Sequence, residues 1–316
     1  MPEIRLGSAR LQVPEGADLL QSLLDAGYPV AHSCRAGACQ ACMLRARPEQ
    51  VPAEAAATLP EDMRGQGYLL SCQCRVAQDM DLQLMDPATS GTPGAIHGCE
   101  LLEPDLLRLK IRPARTLRFR VGQHLLVWLD DTLARPYSLA GQPGSEVLEF
   151  HVRLRPGGRF SEAIRQLAAG TPVRLGQPAG SLGYDPEWHD RPLLLLAAGT
   201  GLGPLQAIAR YALEHDHAAP IQLWHWSRGG TCYMAEELQA LADQHATLQF
   251  EQRALTTLDS DLRTLRVASR AAMALVCGSP DFTERLRKPL FMAGLPGRQV
   301  IGEAFVSGTR PPVPEE

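Results

Sequence analysis

Four cysteines place the tightest constraint on this 316-residue chain: Cys34, Cys39 and Cys42 form a C-x4-C-x2-C run, and Cys72 follows 30 positions later. That spacing suits a loop that brings three thiolates to a binuclear iron–sulfur cluster while a distant strand end supplies the fourth. Two irons bridged by two sulfides need backbone close to sulfur. The stretch from Ser33 to Cys42 is mostly small residues, with Gly37 free to take positive φ and amides left to point at the thiolates. Zinc would ask for two C-x2-C knuckles, or one joined by histidines, and a single knuckle is present. A disulfide framework does not suit a long chain that begins Met1-Pro2-Glu3-Ile4-Arg5, without the pattern of a signal peptide. Cys74 competes with Cys72 for the fourth position, because alternation along a strand would send the two thiols to opposite faces. Cys99 and Cys232 match no pattern and read as structural.

Length and a 45% hydrophobic composition allow two or three domains, each with its own core. Apolar runs such as Leu193 to Ala198 are strand-sized, far short of the roughly 18 residues of a membrane span. Cytoplasmic residence is therefore expected. Residues 1–88 hold 7 Arg and no Lys against 11 Asp plus Glu, which leaves 24 of each sign in the remainder and puts the whole net charge of −4 in the first part. A nucleic-acid partner is excluded by that balance, since binding one demands a basic footprint. An acidic face would steer a protein partner that carries basic residues.

Along residues 1–88, short strands at Ile4–Leu6 and Leu11–Val13 flank a turn at Gly7-Ser8, and a helix follows with Leu19, Leu20, Leu23 and Leu24 as its apolar stripe. Asp18 is its expected N-cap and Gly27 its C-terminal stop. Linker composition marks Asp86 to Gly94, giving a boundary at 89–94. From 95 to 187 the period is two: Leu107, Leu109 and Ile111, then Leu117, Phe119 and Val121, then Leu148, Phe150, Val152 and Leu154 alternate with polar residues, which predicts a small antiparallel barrel. From 188 to 306 buried strands at Leu193–Ala198, Ile221–Trp226, Ala271–Cys277 and Val300–Ile301 alternate with helical stretches, one opened by Pro204, which predicts a parallel sheet covered on both faces. The proline-rich tail 307–316 reads as disordered. The fold class expected is multi-domain, α+β followed by α/β.

Three further motifs carry chemistry. In Arg135-Pro136-Tyr137-Ser138 an arginine suits a pyrophosphate, a tyrosine suits a flat heterocycle and a serine hydroxyl suits a flavin N5. Gly157-Gly158-Arg159-Phe160-Ser161 precedes a helix expected from Glu162 to Ala168, where freed amides and a helix start can meet the same pyrophosphate through Gly157, Gly158 and Ser161. Gly199-Thr200-Gly201-Leu202-Gly203-Pro204 lies between a buried strand and a helix, the place where a dinucleotide approaches a parallel sheet, although Pro204 departs from the G-x-G-x-x-G fingerprint.

These elements resemble known families. Hairpin, helix, cluster loop and final strand, with Tyr68-Leu69-Leu70-Ser71 before Cys72, resemble the β-grasp of plant-type ferredoxins, a likeness that favours Cys72 as the last ligand. R-x-Y-S, G-T-G-x-x-P, Cys277-Gly278-Ser279-Pro280 and Glu303-Ala304-Phe305 resemble the motifs of the ferredoxin–NADP reductase superfamily. That resemblance implies a flavin at Arg135, Tyr137 and Ser138, and a nicotinamide nucleotide at Gly199, Thr200 and Gly201. It also implies Cys277 near the nicotinamide ring, Glu303 beside the hydride path, Phe305 over the flavin, and Ser138, Cys277 and Glu303 as the catalytic set. The order ferredoxin domain, FAD-binding barrel, NAD(P)-binding domain is similar to that of reductase components of multicomponent bacterial oxygenases, such as those of benzoate dioxygenase and methane monooxygenase. Gln40 stands where such relatives often have glycine or serine. The implied activity is an NAD(P)H-dependent flavin iron–sulfur oxidoreductase that passes electrons through FAD and a 2Fe–2S cluster to a partner oxygenase or hydroxylase. Arg228, after Trp226-Ser227, suits a 2′-phosphate, whereas the domain order favours NADH. Rival readings are the same electron chain serving a sugar-nucleotide dehydratase or a desaturase, and a cluster-based redox sensor without turnover.

Overall fold

The computed structural model describes residues 1–305; the expected tail 307–316 lies outside them. The first sheet has the order Ala9–Gln12, Glu3–Leu6, Met80–Leu84, Met43–Arg45, Tyr68–Leu70. Glu3–Leu6 pairs antiparallel with Ala9–Gln12 and parallel with Met80–Leu84, so the sheet is mixed. Helix Leu19–Asp25 begins where Asp18 accepts a hydrogen bond from the Gln21 amide, and it ends before Gly27 at φ +82. Its buried Leu19, Leu20 and Leu23 pack with Ile4, Leu44, Leu69 and Met80 in one core. This is the expected β-grasp. Cys72 does not end a strand, however; strand Tyr68–Leu70 gives way to a 3₁₀ turn, Ser71–Gln73. The turn lets Cys72 reach the loop while Cys74 joins the apolar core at 1% exposure.

The second sheet is antiparallel, in the order Ala134–Ser138, His124–Trp128, Pro172–Leu175, Thr92–Glu103, Leu106–Pro113, Leu148–Arg153. A bridge between Leu139 and Phe150 joins its ends and closes the barrel. Two expectations are corrected here. The linker at 89–94 is largely structured: helix Pro87–Ser90 precedes a strand that starts at Thr92, because Thr92 pairs with Leu175. Leu117 to Val121 is not a strand, since no neighbour pairs with its backbone, although Leu117 and Val121 still bury their side chains in cores.

The third sheet is wholly parallel, ordered Leu248–Ala254, Ile221–Ser227, Leu193–Ala198, Met273–Gly278, Val300–Ala304. Alternate residues of the central strand serve two cores: Leu193 and Leu195 pack with helix Leu202–Glu214, Leu194 and Leu196 with helix Pro280–Met292. Two helix limits shift from expectation. The first begins at Leu202, with Pro204 inside its first turn, and the helix after Gly158 is Arg159–Arg165, two turns beginning three residues early. No helix among the described residues is long and apolar enough to cross a membrane.

Candidate active site

The cluster loop is held in strained backbone. Arg35, Gly37 and Gln40 all have positive φ, and Gln73 lies so close to Gly37 that a Cβ there would meet its side chain at 3.1 Å. For Gln40 at φ +57 the left-handed conformation costs roughly 1–2 kcal/mol, a cost that glycine would avoid. In return, amides reach sulfur: Ala36 N and Cys39 N donate to Cys34 Sγ at 3.3 and 3.4 Å, and Gln73 Nε2 donates to Cys72 Sγ at 3.4 Å.

The four thiols associate as two pairs. Hydrogen bonding from Cys39 pulls the Cys34 thiol down to about 5, and hydrogen bonding from Cys42 pulls Cys72 down to about 6. Their partners Cys39 and Cys42 are pushed up by the same bonds and by burial. No three metal-binding side chains converge on one point among the described residues. Two pairs suit a two-iron cluster, with two thiolates per iron. Cys74 is pushed up to about 12, chiefly by burial, and stays a core thiol.

One cavity of about 1670 Å³ runs from this loop across the barrel to the last strand. Cys34 and Cys39, then Arg135, Tyr137 and Ser138, then Thr200, Glu303 and Phe305 all line it. The Ser138 hydroxyl is buried there without a hydrogen-bond partner. A flavin edge offers such a hydroxyl its missing partner, and the long cleft suits a dinucleotide, so the residues fit FAD. Tyr137 packs on Phe160 with centroids 5.1 Å apart, and burial raises its phenol. Arg135 Nη1 donates to Ala134 O at 2.7 Å and to His32 O at 3.3 Å, tying the barrel to the loop before Cys34. Gly157, Gly158 and Ser161 all line the cavity, and the Ser161 hydroxyl accepts from the Arg155 amide at 2.9 Å, which braces that loop.

At the nicotinamide end the expected residues divide. Thr200, Gly203 and Pro204 line the cavity; Gly199 and Gly201 lie behind it. Gly199 O accepts from His225 Nε2 at 3.0 Å, and burial lowers that ring to about 4, so it is neutral. Gly201 packs directly on Cys277 O. Cys277 is fully buried and is not among the residues lining the cavity; its side chain lies in the helix-covered core against which Phe305 packs, with the Glu303 charge near enough to help burial raise its thiol. Arg228 is exposed at the end of its strand, away from the cavity.

Sequence reasoning missed the polar contacts that join barrel and parallel sheet. His124 Nδ1 lies 2.7 Å from Glu303 Oε1. His151 contacts the Tyr233 hydroxyl through Nδ1 at 2.8 Å and Glu149 through Nε2 at 3.0 Å. Although burial opposes ionisation of Glu149, His151 and Arg108 hold it below the ordinary carboxylate range. Gln206 Nε2 donates to Ala140 O at 2.6 Å and Gln142 Nε2 to Ala207 O at 3.0 Å. The available signal was a histidine beside apolar neighbours, twice: His124 at the head of an otherwise apolar strand, before Leu125 to Val127, and His151 between Phe150 and Val152.

Comparisons with known proteins agree with this arrangement. Residues 4–77 match the family described as 2Fe-2S iron-sulfur cluster binding domain, and residues 103–184 match Oxidoreductase FAD-binding domain. The chain is 29% identical over 311 residues, 93% of its length and 94% of the relative's, to the ferredoxin–NAD(P)(+) reductase component of the naphthalene 1,2-dioxygenase system of Pseudomonas putida. It is 30% identical over 263 residues, 78% of each chain, to the reductase subunit of an aromatic O-demethylase of Amycolatopsis sp.. A crystal structure of an Amycolatopsis cytochrome P450 reductase superimposes with a TM-score of 0.66 at 25% identity, covering 98% of this chain and all of the other.

Proposed function

Because the chain belongs to the family of ferredoxin–NAD(P)+ reductases that serve oxygenase systems, we propose that it draws electrons from NADH and delivers them singly to an oxygenase or hydroxylase partner. It is an NAD(P)H-dependent flavin iron–sulfur oxidoreductase. The observation that carries the reading is the single cavity bordered by the thiols, by the R-x-Y-S strand and by Glu303 and Phe305. Bound FAD supplies the change of currency, taking an electron pair as hydride and releasing electrons one at a time. The chain's part is positional. Cys34, Cys39, Cys42 and Cys72 hold the cluster; Arg135, Gly157 and Gly158 hold phosphate, Tyr137 lies along the ring system, and Ser138 offers its unpartnered hydroxyl to the ring edge. Gly199 and Gly201 shape the loop that presents Thr200, while Phe305 and Glu303 border the place where nicotinamide meets flavin. Arg228 would add a 2′-phosphate contact at the far end.

The working units are 1–88, 95–187 with the preceding strand from Thr92, and 188–306, acting in the cytoplasm. The acidic first unit suits a partner with basic residues around its metal centre. Anaerobic NADH titration followed by absorbance tests the reading: flavin bleaching should be followed by loss of cluster absorbance. Bleaching without that second phase, in protein holding both groups, would contradict it.

A further inference from the structure

Resting on that reading, we propose that His124 is a positioning residue: its imidazole, on the barrel, holds the Glu303 carboxylate on the last strand of the parallel sheet and thereby seats Phe305 at the rim of the cavity. The two side chains come from separately built sheets, with Nδ1 and Oε1 2.7 Å apart and side-chain exposures of only 8% and 18%. The contact is close but not aligned as a linear hydrogen bond, so both ring nitrogens, together with Glu303 Oε2, stay without a hydrogen-bond partner. Ser138 Oγ is in the same condition, and His124 stands directly opposite Ser138 across their paired strands, so the two side chains share a face. Buried polar atoms are normally partnered. Several unpartnered ones along a single cavity mark a place that a polar heterocycle completes, and His124 differs from the serine in having the Glu303 carboxylate already beside it.

The surrounding backbone is built around the pair. His124 N donates to Ala179 O at 3.0 Å and Ala179 N to His124 O at 2.8 Å, which fixes the ring's origin. The next residue is Gly180 at φ +101, where a Cβ would stand 2.9 Å from His124 Nδ1 and 3.9 Å from Glu303 Oε1. Two residues beyond Glu303, Phe305 donates its amide to Gly278 O at 2.7 Å, so movement of the carboxylate is carried along a short, tied segment to the ring of Phe305. A largely buried polar contact resists separation, because parting it leaves a carboxylate without its neighbour in a poorly hydrated place. The contact therefore sets the gap between barrel and parallel sheet at the point where nicotinamide must enter.

The test uses the full-length FAD- and cluster-loaded protein as wild type, H124L, H124N, E303Q and H124L/E303Q. H124L should raise the KM for NADH in flavin reduction by about tenfold at unchanged FAD content. H124N, whose amide nitrogen takes the place of Nδ1, should recover most of that loss. The double variant should be no worse than E303Q, and the thermal unfolding shifts of the two single variants, measured with and without FAD, should be likewise non-additive. Additive effects on KM and on unfolding, or H124N failing as badly as H124L, would overturn the proposal. Wild-type protein that takes up no flavin would instead sink the functional reading, and the unfolding cycle on flavin-free protein would still decide the pair.

Discussion

Replacing Gly201 with alanine probes the joint between the dinucleotide loop and the strand that ends at Gly278. Gly201 has φ −59 and ψ −15, a conformation open to any residue, so its backbone does not require glycine. Space does. A Cβ would stand 2.1 Å from Cys277 O, 2.5 Å from Cys277 C and 3.0 Å from Gly278 N, all backbone atoms of a central strand that cannot swing aside. Reaching even 3.0 Å from the oxygen requires loop and strand to part by about 0.9 Å. Overpacking of this kind costs typically 1–3 kcal/mol. A misplacement of about 1 Å at a reacting site slows the reaction by on the order of a hundredfold. The loop that carries Thr200 and Gly203 into the cavity is the part displaced, so NADH reduction of flavin should slow by about that factor while FAD and cluster absorbance persist. Stopped-flow absorbance at saturating NADH reads the rate. Gly98, where a Cβ would meet nothing within 4 Å, supplies the control: G98A should behave as wild type. A G201A protein reduced at the wild-type rate would refute the argument that this contact positions the loop.

Cys39→Ser should abolish the visible absorption of the cluster yet leave flavin reduction largely intact, as read by absorbance before and after NADH. Cys74→Ala should keep the cluster spectrum and cost only stability, roughly 1 kcal/mol for a small buried group, whereas Cys72→Ser should lose the spectrum. Gln40→Gly should make the cluster loop more stable by about 1 kcal/mol, seen as slower cluster loss in denaturant, because glycine occupies positive φ freely. Arg228→Ala should raise the KM for NADPH much more than that for NADH; equal changes would remove Arg228 from the 2′-phosphate site.

Local chemistry wrote much of this fold plainly. Asp18 before an apolar stripe reads as an N-cap and acts as one, with its carboxylate 2.9 Å from the Gln21 amide. The unbroken Leu193 to Ala198 run reads as a strand buried on both faces, and its residues do feed two cores. Signals failed where burial and pairing part company. Leu117 to Val121 alternates like a strand but finds no neighbour for its backbone, whereas Leu248–Ala254 is an edge strand with only Leu248 buried, too polar to announce itself.

Contacts between units were illegible for a different reason: no period or spacing encodes them. Arg135 illustrates the consequence. By sequence it belongs to a flavin strand, while in the fold its Nη1 also reaches the carbonyl of His32, two residues before the first cluster cysteine. Ala31 packs with Trp128 and Ala134 at the same seam. The guanidinium that would hold an anion in the cavity thus helps seat the loop that holds the cluster, and either task biases the geometry available to the other. Motifs read one at a time assign each residue a single cofactor. In the folded chain Arg135 reaches from the barrel to the carbonyl of His32, and Glu303 stands beside the barrel's His124, so side chains that a motif would give to one unit also set its contact with the next.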